Sequence, residues 1–223
     1  MKLVEYPDAE MMMMDLADTL ASELKNCLLM HEHASFAVPG GTTPGPIFDS
    51  LCGVDLDWGR VHVMLTDERW VPETSDRSNT KLLRERLLVN HAAAAKYIPL
   101  YAEADTPEEK LPELAAALTP ELPISVMLLG MGTDMHTASI FPGADQLEKA
   151  LLGDDRLVAM RAPGAPEPRI TLSANVLRAA MSRHLVIIGA AKREALERAR
   201  TLTPDEAPVA AILKDTVVHW AES

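Results

Sequence analysis

The sequence predicts an α/β fold in which helices cover both faces of a mostly parallel central sheet. Short apolar runs alternate along the 223 residues with longer segments of helical patterning, and this alternation is typical of three-layer α/β/α architectures. Two runs, VMLLG at 126–130 and LVIIG at 185–189, are almost continuously apolar. Strands buried on both faces have this composition, as parallel strands covered by helices do.

The apolar runs predict eight strands and two further short ones. They are expected at 3–6, 35–38, 61–66, 97–100, 125–130, 157–160, 169–172 and 184–189, with the short ones at 208–212 and 216–220. The helices between them are expected at 8–30, 78–89, 107–118 and 191–202. Their starts carry capping residues, a Ser78–Asn79 pair and a Thr106–Glu109 capping box.

Composition and charge limit the class of protein. A hydrophobic content of 48% supports a packed core, so we predict one domain over residues 1–223. The net charge of −12 and the nine aromatic residues argue against nucleic-acid and anionic-membrane partners. Two cysteines, acidic residues near the start and no membrane-length apolar run predict a cytoplasmic protein. We expect a monomer rather than a larger oligomer.

Ligands of such folds bind at the carboxyl ends of the strands, and two strand exits have residues suited to an anion. After the strand at 35–38 comes a loop whose glycines allow close backbone approach and whose N–H groups could hold an anion. Its candidate binding residues are Gly40, Gly41, Thr42 and Thr43. Asp67 and Arg69 follow another strand, where charges are costly to bury unless they pair or face a ligand.

Two further sites point to acid–base chemistry on an anionic substrate. The run at 125–130 leads into Asp134 and His136, and histidine is the side chain that titrates near neutrality. Arg169 follows a proline-rich loop, and Lys192 stands at a helix start, where a cation is unfavourable without an anion. A tight turn, a solvated charge pair and a surface lysine remain alternative interpretations of the separate motifs. We find no metal-ligand spacing and no GxSxG motif, and we predict no cofactor and no metal.

Seven motifs in order resemble the 6-phosphogluconolactonase family, which shares a modified Rossmann-like fold group with glucosamine-6-phosphate deaminase and ribose-5-phosphate isomerase. The motifs are GGTTP at 40–44, DERWVP at 67–72, SN at 78–79, LLGMG at 128–132, DMHTASIFPG at 134–143, RITL at 169–172 and GAAK at 189–192. One position departs from the family pattern, because Met135 stands where the family has glycine. A glycine there would suit a positive φ or a crowded turn.

The resemblance implies a hydrolase that converts 6-phospho-D-glucono-1,5-lactone to 6-phospho-D-gluconate, in the second step of the oxidative pentose phosphate pathway. It implies that His136 activates water, that Asp134 orients His136, and that Arg69 beside Asp67 faces the reacting carbonyl or the sugar hydroxyls. The loop at 40–43, Arg169 and Lys192 would hold the phosphate. Two alternatives remain open at this point: a deaminase-like isomerase of the same fold group, which the absence of a glutamate in SIFPG at 139–143 disfavours, and a non-catalytic sugar-phosphate sensor.

Overall fold

A computed structural model describes all residues, 1–223. The strands are β1 (Lys2–Glu5), β2 (Ala34–Val38), β3 (Val61–Leu65), β4 (Asp67–Arg69), β5 (Lys96–Ile98), β6 (Val126–Gly130), β7 (Leu157–Met160), β8 (Arg169–Leu172), β9 (Ser182–Ile188) and β10 (Val217–Ala221). The helices are α1 (Ala9–Met30), α2 (Gly45–Leu51), α3 (Asn79–Arg86), α4 (Leu111–Leu118), α5 (Leu147–Leu152), α6 (Ala174–Ala179) and α7 (Ala190–Ala199).

Seven strands form a sheet in the order β1-β10-β9-β6-β2-β3-β5, and every neighbouring pair is parallel. All five residues of β2 are buried, as are the first four of β6. Helices cover both faces of such a sheet because each strand needs a crossover to reach its parallel neighbour. The predicted α/β class with a mostly parallel central sheet is confirmed.

The order of the strands places the site. From β2 the chain first adds β3 and β5 on one side, and then returns to add β6 and β9 on the other. Loops that leave β2 and β6 at their carboxyl ends therefore diverge and leave a crevice, which is where ligands bind in open α/β sheets.

A second, smaller sheet has the order β4-β8-β7 with both pairings antiparallel. Sequence analysis expected β7 and β8 as strands but did not separate them from the main sheet, and it missed β4. Three residues are too few to show a hydrophobic period. The pairing of β4 with β8 places Arg69 directly opposite Arg169, which matters for the site.

The predicted strand at 208–212 is wrong, because Pro208–Ile212 form a short 3₁₀ helix. A short apolar run does not distinguish a strand from a helix by periodicity, and the N–H of Ala210 donates back to the carbonyl of Ala207 at 2.8 Å. The strand expected at 216–220 is confirmed as β10, which lies between β1 and β9.

The four long predicted helices are present with adjusted ends. Asp8 caps α1 by accepting from the N–H of Met11 at 2.8 Å, and Ser78 caps α3 by accepting from Lys81 at 3.2 Å. The capping box of Thr106 is also present, but a 3₁₀ turn precedes α4 there. Pro112 has no N–H to continue a helix across that point. No helix of the chain combines the length and the apolar character needed to cross a membrane.

Candidate active site

A cleft of about 270 Å³ lies where β2 and β6 end, at the point where the strand order reverses. Nine of the ten site residues expected from the sequence line it, namely Gly40, Gly41, Thr42, Thr43, Asp67, Arg69, His136, Arg169 and Lys192. Asp134, the tenth, contacts the cleft through His136. The fold thus brings five separate sequence segments to one place.

The Asp134–His136 pair is formed by a tight turn after β6. The carboxylate Oδ1 of Asp134 lies 2.5 Å from Nδ1 of His136 and accepts the backbone N–H of His136 at 3.1 Å. Burial by itself raises the pKa of Asp134, but the hydrogen bonds and the charge of His136 outweigh it and hold this pKa below its usual value. Because Asp134 engages Nδ1, Nε2 is the ring nitrogen left for a ligand.

Phe141 supports this imidazole, and sequence analysis did not identify it as a site residue. Its ring stacks on His136 with the centroids 4.3 Å apart, and the Arg169 guanidinium lies 5.6 Å from its centroid on the ring face. One aromatic ring therefore positions both a candidate base and a candidate phosphate ligand. Its motif, SIFPG, marked the segment but not the role of this residue.

The turn after β6 depends on Gly132 and is strained at Met135. A Cβ on Gly132 would collide with the His136 ring and the Asp134 carboxylate, so only glycine leaves room for the pair. Met135 has a φ of 66°, which is the left-handed conformation expected from the family glycine at this position.

The loop after β2 presents free donors. None of the backbone N–H groups of residues 40–43 has a hydrogen-bond partner within the chain, and Gly41 has a φ of 87°. Unpaired N–H groups in a concave loop form an anion site. A Cβ on Gly40 would collide with the side chain of Asn79, so the glycine is required for close packing.

Asn79 also lines the cleft, a role that its place at the start of a predicted helix did not indicate. Its amide donates to the carbonyl of Asp67 at 3.0 Å and lines the cleft beside the glycine loop. The sequence favoured a helix-cap role for the Ser78–Asn79 pair, and Ser78 has that role. Arg77, two residues earlier, pairs with Glu167 and does not line the cleft.

Two arginines lie side by side at the cleft. Arg69 and Arg169 are directly opposite in the β4–β8 pair, where like charges destabilise each other. The Nε atoms of both are buried and have no hydrogen-bond partner. Burial lowers the pKa of Arg169, and the charge of Arg69 adds to that effect. An anionic ligand in the cleft would offset this repulsion and accept hydrogen bonds from the guanidinium groups.

Lys192 adds a third cation at the start of α7. It makes no ion pair with any carboxylate, and burial lowers its pKa. A desolvated ammonium without a partner is costly, so this residue also favours an anionic ligand.

The other two charges after β3 have partners within the protein. Asp67 accepts a hydrogen bond from Ser139 at 2.6 Å. Glu68 is fully buried and accepts from the N–H groups of Arg69, Asn79 and Thr80 at 2.8 Å. It therefore holds the β4–α3 segment in place, while Asp67 and Arg69 line the cleft.

Fold and site together are those of an α/β protein whose cleft, with its cations and unpaired N–H groups, is suited to a small anionic ligand. The family model described as glucosamine-6-phosphate isomerases/6-phosphogluconolactonase matches residues 7–220. The chain belongs to this family.

Individual relatives agree with this assignment. A 6-phosphogluconolactonase of Rhizobium meliloti is 41% identical over 216 residues, covering 92% of each chain. The crystal structure of a 6-phosphogluconolactonase from Shewanella baltica superimposes with a TM-score of 0.96 at 34% identity, covering 99% of this chain and 97% of that one. A monomeric glucosamine-6-phosphate deaminase has a TM-score of 0.80 at 16% identity, covering 99% of this chain and 97% of that one, which shows a shared fold alone.

Proposed function

We infer that this chain hydrolyses 6-phospho-D-glucono-1,5-lactone to 6-phospho-D-gluconate, a step of the pentose phosphate pathway. Three relatives that are 38–41% identical to this chain are 6-phosphogluconolactonases, and the match covers 88–92% of their length. The observation that carries the mechanism is one cleft that holds an Asp134-bound imidazole together with unpaired N–H groups and three cations.

His136 is the general base and then the general acid. Its Nε2 takes a proton from a water molecule as the water oxygen bonds to C1 of the lactone. The π electrons of the C1 carbonyl move to the carbonyl oxygen, which becomes the oxyanion. When the tetrahedral intermediate collapses, the bond from C1 to the ring oxygen breaks and the His136 proton passes to that oxygen. The products are a carboxylic acid, which ionises, and a free hydroxyl group. General acid–base catalysis of this kind accelerates a reaction by roughly 10²–10⁴-fold.

Asp134 orients the imidazole and stabilises its cation. The 2.5 Å contact to Nδ1 fixes the ring and directs Nε2 to the substrate. The negative charge of Asp134 favours the imidazolium that forms when water is deprotonated. A lactone is an activated ester, so this pair is sufficient without a covalent nucleophile.

The cations divide between the two ends of the substrate. The loop at 40–43, Arg169 and Lys192 hold the 6-phosphate through charge-assisted hydrogen bonds, each worth about 1.5–3 kcal/mol. Arg69 stabilises the oxyanion that develops at C1. Asp67, fixed by Ser139, contacts the sugar hydroxyls and balances the arginine charge.

The test replaces the base. His136→Ala should lower turnover of fresh lactone by roughly 10²–10⁴-fold, measured as acid release above the spontaneous rate. Binding of 6-phosphogluconate should persist, because the phosphate ligands are unchanged. His91→Ala, at an exposed histidine outside the cleft, is the matched control. Turnover that survives in His136→Ala would refute the assigned role.

The same assay separates the alternatives. A deaminase-like enzyme would release ammonia from glucosamine 6-phosphate, and a sensor would bind the phosphogluconate without turnover. The segment after His136 reads TASIFPG at 137–143 and contains no glutamate, whereas the deaminases have a catalytic glutamate there. We therefore expect no reaction with the amino sugar.

A further inference from the structure

A second cluster of titratable side chains lies at the amino ends of the strands of the main sheet, at the opposite end from the cleft. His33 stands just before β2, His62 lies in β3, and Glu121 is in the turn that leads into β6. One ligand atom from each falls within 4.8 Å of the others. Sequence analysis found no metal-ligand spacing, because the three residues are far apart in sequence and the parallel pairing of the strands brings them together.

One separation between ligand atoms matches that around a small divalent ion, and the other is shorter, at hydrogen-bond distance. Oε2 of Glu121 lies 2.8 Å from Nδ1 of His62 and 3.3 Å from Nε2 of His33. A tetrahedral Zn²⁺ with bonds of about 2.0–2.2 Å requires its ligand atoms to lie roughly 3.3–3.5 Å apart. The two imidazole rings are stacked with centroids 4.2 Å apart and planes within 14°, and both direct a nitrogen to the same oxygen. Small rotations of the rings would complete the geometry.

The charge balance also favours a cation. The Glu121 side chain is only 2% exposed, and a buried carboxylate requires compensation. Its present neighbours are the two imidazoles and the ammonium of Lys96, 4.0 Å from Oε1 on a side chain that is 59% exposed. The hydroxyl of Ser35 donates to the backbone carbonyl of Glu121 at 2.9 Å, which holds the turn in place. This hydrogen bond and the pairing of β2 with β3 therefore hold the three side chains near one another.

We propose that His33, His62 and Glu121 form a binding site for one divalent transition-metal ion of the zinc type, with water as the fourth ligand. Two imidazoles and one carboxylate with an open position are a common zinc ligand set.

The ion would stabilise the fold and take no part in the chemistry of the cleft. It would connect the starts of β2 and β3 with the segment before β6. The cleft loop at 40–43 lies at the other end of β2, roughly 20 Å away along the strand. Stability and metal content, rather than turnover, are therefore the properties that the site should change.

The experiment uses the full chain, freed of metal with a chelator, and measures Zn²⁺ binding by calorimetry and by thermal unfolding. We expect one ion per chain and a rise in Tm of about 5–10 °C at a Zn²⁺ concentration a hundredfold above Kd. His33→Ala, at a partly exposed side chain whose loss the fold should tolerate, should weaken binding by more than about a hundredfold. His31→Ala, an exposed histidine two residues away, is the matched control and should bind as the unaltered chain does.

A second variant tests the assignment independently of ligand removal. Lys96→Met removes the ammonium near Glu121 and should tighten Zn²⁺ binding several-fold, because like-charge repulsion is lost. The proposal is overturned if the unaltered chain binds no Zn²⁺, or if His33→Ala binds it as tightly as His31→Ala does. It is equally overturned if His136→Ala, rather than His33→Ala, abolishes binding, since the ion would then lie in the catalytic cleft.

Discussion

Met135 adopts a backbone conformation that glycine favours, and the contacts of Met135 explain how the chain tolerates a larger residue there. Its φ is 66°, its N–H donates to the carbonyl of Gly132 at 3.0 Å, and its carbonyl accepts from Val209 at 3.0 Å. The side chain packs against the hydrophobic core. Two backbone hydrogen bonds and apolar contact thus offset a strain of roughly 1–2 kcal/mol, so the Asp134–His136 geometry persists without a glycine.

Substitution at Met135 should show how much strain is present. Met135→Gly removes the strain but loses apolar contact and adds about 0.5–1 kcal/mol of unfolded-state freedom. Its free energy of unfolding should therefore stay within about 1 kcal/mol of the unaltered chain. Met135→Val places a β-branched residue at positive φ and should cost about 2 kcal/mol more. Urea unfolding measures both, and equal stability of the two variants would contradict the strain.

At the scale of an element, Glu68 determines how the β4–α3 segment is placed. Five donors converge on its carboxylate: the N–H groups of Arg69, Asn79 and Thr80, and the hydroxyls of Ser78 and Thr80. Burial raises the pKa of Glu68, and the hydrogen bonds from Asn79 and Thr80 oppose that rise. One buried side chain therefore fixes the start of α3 and the backbone of the cleft-lining arginine.

Removal of this carboxylate should destabilise the protein strongly. Glu68→Ala removes the acceptor shared by five donors, most of them buried, and we expect a loss of about 3–5 kcal/mol in the free energy of unfolding. The matched control is Glu73→Ala, which removes a partly exposed carboxylate that pairs with Arg84 and should cost less than about 1 kcal/mol. Denaturant titration provides the comparison, and similar losses in the two variants would show that Glu68 does not organise the segment.

At the scale of the whole molecule, a partly buried chain of hydrogen-bonded side chains connects α1 with strands β9 and β10 of the main sheet. Glu23 contacts His184, His184 contacts His219, and His219 contacts Tyr6, at 3.0, 3.0 and 2.9 Å. Tyr6 donates onward to Asp15 at 2.6 Å. Burial lowers the pKa of His219 to about 4, helped by the charges of His184 and Lys2 and opposed by those of Asp15 and Glu23.

This lowered pKa predicts how stability depends on pH. The pKa of His219 is 6.5 in the unfolded chain and about 4 in the folded protein. The contribution of neutral His219 to the free energy of unfolding is therefore complete above pH 6.5 and is lost as the pH falls toward 4. The loss should reach about 2 kcal/mol by pH 5. His219→Asn should reduce the fall in unfolding free energy between pH 7 and 5, measured with urea. An unchanged fall would assign the pH dependence to other groups.

The pattern of apolar runs and motifs was enough to predict the class of fold and most of the residues that line the cleft. Near-continuous apolar runs predicted the parallel sheet, because burial on both faces requires them. Motifs such as GGTTP at 40–44 and the Asp134–His136 pair were recognisable because each lies within a few residues of one strand end, where local geometry decides the chemistry. The family resemblance added the substrate and the roles.

The relations between distant segments depend on tertiary packing. Pairing of β4 with β8 places Arg69 opposite Arg169, and packing places the Arg169 guanidinium over the ring of Phe141. The starts of β2, β3 and β6 bring His33, His62 and Glu121 together. None of these contacts has a sequence spacing that could reveal it, since strand register is set by the burial of side chains across the whole sheet rather than by neighbouring residues.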